Sequence, residues 1–135
     1  MKLINLVTIL LIITVFPSCE EEEQPLDREK FLGAYNLLED CGNGSYDYDI
    51  SIVESGVSEN SIIINNLYAL GGGVTAEVND DMFIISRQVF GNQGLFEVQS
   101  GSGSIRGDVI SLNFRITLTG GGSDVSNCAS TGTRK

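Results

Sequence analysis

The chain has 135 residues, with 8 basic side chains against 18 acidic ones and no histidine, for a net charge of −10. That acidic surplus argues against nucleic acid as a partner, because phosphate binding needs a positive footprint, and against direct docking on anionic lipid heads. Without histidine, the usual base of Ser or Cys triads and the commonest zinc ligand are both missing.

The chain opens with Met1-Lys2, one positive charge, and continues with an apolar run over 3–16 broken only by Asn5, Thr8 and Thr14. A bilayer-spanning helix needs ~20 apolar residues, so this run is short for a permanent anchor. It has the length and the charged start of a signal-peptide h-region. A buried N-terminal helix or strand is the competing reading. The abrupt change from oil to charge at Glu20-Glu21-Glu22-Glu23 speaks against it.

Ser18-Cys19 at the close of the run resembles the lipobox of bacterial lipoproteins. The resemblance implies that 1–18 is a lipoprotein signal peptide and that Cys19 becomes the lipidated, palmitate-bearing first residue of the mature chain. The glutamates behind Cys19 are similar to the export signal of surface-exposed lipoproteins in the Bacteroidota. That implies an outer-membrane protein, lipid-anchored and facing the cell exterior. Read as residues alone, 19–30 is a solvated, self-repelling tether. Each buried CH₂ contributes ~0.8 kcal/mol, so two or three acyl chains hold a small domain on its membrane where one would not.

Past residue 18 the chain carries all 18 acidic residues and 8 − 1 = 7 basic ones, a net charge of −11. The residues from 31 to 135 form one domain with a modest core. Three cysteines are present. If Cys19 takes lipid, Cys41 and Cys128 remain as a pair in an exported, oxidising setting, where a disulfide is expected. A bridge of that span contributes ~4 kcal/mol or less after strain. A reactive thiol is the alternative, but no histidine is available to activate one.

The domain is written in strand period. A short helical turn is expected over 27–32, with Asp27 as its cap. Strands follow over 33–39, 46–54, 60–67, 74–79, 82–90, 95–106, 110–118 and 123–129, separated by glycine- and asparagine-rich turns. Tyr46, Tyr48, Ile50 and Ile52 alternate with Asp47, Asp49 and Ser51, and Ile110 through Leu118 alternate as cleanly. Gly107-Asp108 suits a two-residue hairpin loop that sets Ile105 opposite Ile110. Phe96 and Val98 are out of phase with Ile105, so one extra residue must be absorbed, and Ser100-Gly-Ser-Gly103 is the expected bulge.

Eight short-linked strands make an antiparallel meander, as a closed barrel or, alternatively, a β-sandwich. A barrel makes the first and last strands antiparallel neighbours, which brings Cys41 to Cys128 and hides the sheet edges. Phe31-Leu-Gly-Ala-Tyr35 is similar to the lipocalin-like pattern of a helical turn leading into Gly-x-aromatic on the first strand. The resemblance implies an eight-stranded barrel. The inward positions are bulky (Tyr35, Leu37, Tyr46, Tyr48, Phe96, Phe114, Leu118 and the alternating isoleucines), and no charged residue stands out among them. A packed core without a deep cavity is therefore expected.

Chemistry is thin. Asp47 and Asp49 lie ~7 Å apart on one strand face, near glycosidase spacing, but that face reads as solvated. Asn79-Asp80-Asp81 lacks the D-x-D-x-D-G frame of a calcium loop and reads as a turn. The glycines at 101 and 103 fail the G-x-G-x-x-G spacing and precede no helix. Neither cofactor, metal nor catalytic residue is implied. The sequence reads as a non-enzymatic, membrane-anchored surface lipoprotein that meets a protein or glycan through its loops or outer face. A lipocalin-like carrier of a small apolar ligand is the alternative.

Overall fold

The computed structural model describes residues 26–120 and 124–135, so the apolar leader, Cys19 and the glutamate run lie outside the described residues. Nine strands form one antiparallel sheet: β1 (Gly33–Asp40), β2 (Ser45–Glu54), β3 (Ser61–Asn65), β4 (Gly73–Asn79), β5 (Met82–Ile85), β6 (Gln88–Phe90), β7 (Phe96–Arg106), β8 (Val109–Leu118) and β9 (Val125–Arg134). Neighbours follow the order β5-β4-β3-β2-β1-β9-β8-β7-β6, and β5 also pairs with β7. The sheet therefore closes on itself as an eight-stranded antiparallel barrel, with β6 as a short extra strand. The single strand expected over 82–90 is broken at Ser86-Arg87, and both pieces lie on the same edge of β7, at Gly101–Ser104 and Phe96–Val98.

The hairpin over Gly107-Asp108 has the expected register, with Ile105 opposite Ile110 and Arg106 opposite Val109. The register shift falls between Val98 and Ser100, so Gln99 is the extra residue, just ahead of the glycine stretch. The glycines serve another purpose. Gly103 sits opposite Phe83, and a Cβ placed on it would come within 2.1 Å of the Phe83 ring. A Cβ on Gly101 would meet Ile85 at 3.0 Å and Phe114 at 3.1 Å. Large side chains of β5 lie across the bare backbone of β7, so glycine here is a packing choice, not a bend.

The last strand runs to Arg134, past the residue 129 expected for it. Its inner face is small and polar (Ser126, Cys128, Ser130, Gly132), which makes room for bulk on both neighbours. A Cβ on Gly132 would strike Leu37 at 2.3 Å and Ile110 at 3.0 Å, the two residues paired with it on β1 and β8.

One end of the barrel is shut. Asp27–Phe31 forms a single 3-10 turn across it, within the 27–32 helical turn expected. Phe31 is fully buried, with its ring 5.4 Å from Phe83 in an edge-on contact, and its carbonyl accepts from Tyr35 Oη at 2.9 Å. Arg134 fastens the turn by donating to the carbonyls of Lys30 and Leu32, and it lies 5.1 Å from the centre of the Tyr35 ring. Arg28 donates to the carbonyls of Ser55 and Ser58, and Lys30 bridges Asp80 at 3.1 Å and Asp81 at 2.8 Å. The Asp80-Asp81 carboxylates are thus committed to Lys30. Among the described residues no helix is long and apolar enough to cross a membrane.

Gly103→Val is expected to lower the free energy of unfolding by about 1–3 kcal/mol, because valine suits a strand but collides with Phe83. A urea midpoint measures it, and adding Phe83→Leu is expected to recover part of the loss.

Candidate functional site

Strand alternation puts the connections 41–44, 66–72 and 91–95, with residues 119, 120 and 124 between β8 and β9, together at the end opposite the 3-10 turn. Here the barrel is open. A cavity of about 230 Å³ is lined by Glu39, Tyr46, Tyr48, Tyr68 and Ala69. A smaller one of about 160 Å³ lies on the other side of Tyr68, against Phe96, Ile116, Leu118, Asp124 and Ser126. Tyr68 is the partition between them.

Its position is costly to hold. Tyr68 has φ 59° and ψ 21°, and Ala69 has φ 55°, both left-handed conformations that a side chain disfavours. Such residues cost of order 1–3 kcal/mol each and persist only where the surroundings fix them. Leu67 is buried completely as a peg, Asn66 donates to the Asp49 carbonyl at 2.8 Å, and the Tyr68 N–H donates to Tyr48 Oη at 2.9 Å. The Tyr68 ring then lies 6.3 Å from Phe96 and 6.4 Å from Phe114.

Glu39 corrects the sequence reading that found no inward charge. It is 1% exposed, on the inner face of β1 in phase with Tyr35 and Leu37. Tyr48 Oη donates to its Oε2 at 2.5 Å and Ser130 Oγ donates to the same oxygen at 3.1 Å. Burial pushes the Glu39 carboxyl above its usual range, and the two hydroxyl donors only partly oppose this. Burial and the neighbouring Glu39 push the Tyr48 phenol up as well. The signal was present: the period of two that places Tyr35 and Leu37 inside places Glu39 inside too.

Cys41 and Cys128 meet at the base of this end, with sulfurs 2.05 Å apart, where Asp40 pairs with Ala129. Both sulfurs are spent on each other, so Glu39, Cys41 and Cys128 are no metal-ligand set, although their ligand atoms cluster within 4.8 Å. Tyr46 and Leu118, expected inside, are 47% and 45% exposed. They keep the inward phase but stand at strand ends, beyond the filled core, and rim the opening. Asp47 and Asp49 are on the outer wall, where both accept from Asn36 Nδ2 and Asp49 also pairs with Lys135, which holds its carboxyl below the usual range.

Fold and site define a small closed β-barrel with one plugged and one open, tyrosine-lined end. No protein-family model and no curated protein matches the chain. Among solved structures it is similar to that of "EF1p2_mFAP2b bound to DFHBI", with a TM-score of 0.58 over 82% of this chain and 99% of that one, at 11% identity. The likeness is one of fold.

Because the folded-state pKa of Glu39 is raised, its contribution to stability is complete below the unfolded value near 4.5 and is lost as pH rises through the folded value. Wild type should therefore lose stability relative to Glu39→Gln as pH climbs from about 4.5, as read by urea melts across pH. A difference that is flat with pH would contradict the burial argument.

Proposed function

We propose that this protein is a non-enzymatic, lipid-anchored module that contacts a protein or glycan through the open end of its barrel. The observation that carries the reading is the tyrosine-lined cavity of about 230 Å³ at the end remote from the N-terminal turn. Pockets for whole small molecules run to roughly 300–1,000 Å³. A cup below that range suits one side chain or one sugar ring offered by a larger partner. The open end around it is apolar and exposed at Tyr46, Leu95 and Leu118, as a contact surface requires.

The barrel interior below the cup is filled by Leu37, Ile50, Leu112, Phe114 and Ile116, all buried. This weighs against a carrier that swallows an apolar ligand. The carrier remains the second reading, favoured by one observation: the similar barrel described above was solved with DFHBI bound. Anchoring enters through Cys19 and Glu20–Glu23, and the entry of the chain at the plugged end would leave the cup facing away from the membrane.

Mass spectrometry of the N-terminal peptide from native membranes should find an acylated Cys19; an unmodified chain starting elsewhere would sink the anchor. In surface capture of glycans and cell-envelope proteins, Tyr46→Ala and Tyr68→Ala should each weaken binding by about tenfold, the loss of an aromatic anchor. Ile84→Ala on the outer wall should not. An apolar molecule co-purifying in native mass spectra would favour the carrier instead.

A further inference from the structure

We propose that the cup is a site for a single alkylammonium group, taken either as a free amine or as the lysine side chain of a partner. The inference rests on the reading of the open end as the contact site and names the chemistry that fills it.

Three observations converge. The cup is walled by Tyr46, Tyr48 and Tyr68, and aromatic faces attract ammonium groups. Glu39, almost wholly buried, contributes a carboxylate with one oxygen satisfied and one not. Oε2 takes both hydroxyl donors, whereas the atom 3.5 Å from Oε1 is Cys41 Sγ, which as half of a disulfide carries no hydrogen to give. Among the described residues Oε1 has no donor. A buried carboxylate oxygen without a partner costs free energy that a cationic donor would recover.

The third observation is where the cations lie. Of the seven basic residues described, Arg28, Lys30, Arg106, Arg134 and Lys135 are at the plugged end, and Arg87 and Arg115 are on the walls. Among the described residues the connections at the open end carry none, while Glu39, Asp40 and Asp124 are all there. The titratable groups facing Glu39 are the phenols of Tyr46, Tyr48 and Tyr68, and β9 offers only Ser130 and the disulfide. Among the described residues no cation competes for the carboxylate. A neutral sugar would leave that charge unmatched, so the cation is the better fit.

The test is an NMR titration of the full chain carrying Cys19→Ala with n-butylammonium chloride, against n-butanol as the neutral probe of similar size. Saturable shifts at the Tyr48 and Tyr68 amides are expected, with n-butanol about tenfold weaker or worse. Equal binding of the two, or no binding of either, overturns the inference. Glu39→Gln should weaken the ammonium about tenfold, and Tyr46→Ala about two- to fivefold. A folded Glu39→Gln chain with unchanged affinity also overturns it, and if that variant does not fold the comparison of the two probes decides.

A capped lysine tripeptide and its Nε-acetyl form separate the two sources. Tighter binding of the free-lysine peptide than of butylammonium assigns the site to a protein partner; the reverse assigns it to small amines. If Tyr46→Ala abolishes partner capture yet no ammonium binds, the contact reading survives and this one fails.

Discussion

The pairing of β1 with β9 is what makes the rest of the molecule work. Without it the meander is an open sheet with two bare edges, each a template for aggregation. The pairing is permitted by the inner face of β9, where Gly132 and Ser130 yield space to Leu37 and Glu39 of β1. A bulky β9 would force the two strands apart at the core. The disulfide then fixes the same seam at the open end, and Arg134 fixes it at the plugged end.

That seam also explains why a carboxylate can be buried in so small a core. Position 39 faces β9, and only a short, hydroxyl-bearing partner at position 130 leaves a place for it. The buried carboxylate, the strained Tyr68 and the tyrosine-lined cavity occupy one end, while apolar plugging and most of the positive charge among the described residues occupy the other.

Much of this was legible in the chain. Alternation in 46–54 and 110–118 placed the strongest strands, the Gly107-Asp108 loop gave a register that held to the residue, and the closed meander follows from short connections and the spacing of Cys41 and Cys128. What escaped was set by neighbours that no local window contains. Nothing near Gly103 announces that Phe83 will lie across it, and nothing near Thr131 or Thr133 says that two flanking strands will hold the chain extended to Arg134. The cup was not legible, because alternation places Tyr46 and Tyr48 inside as core filling. The left-handed turn that carries Tyr68 between two cavities depends on Leu67 finding a buried seat. Glu39 follows from parity alone, in phase with Tyr35 and Leu37, although glutamate is seldom inside.

The disulfide has a mechanical consequence. It ties the chain 87 residues apart, across the strand that begins at the plugged end, where the N-terminal segment arrives. A pull on that segment loads β1 lengthwise, in shear against β2 and β9, and the strand slides until Cys41 is reached. Beyond that point the load passes directly to Cys128, and the long loop between the two cysteines bears no tension. Under force, then, only the first strand and the few residues after Cys128 can be drawn out. The strands from β2 to β8 would ride unstretched at the end of a short, taut lead, while the cup, which takes Glu39 from β1, would be the first thing dismantled.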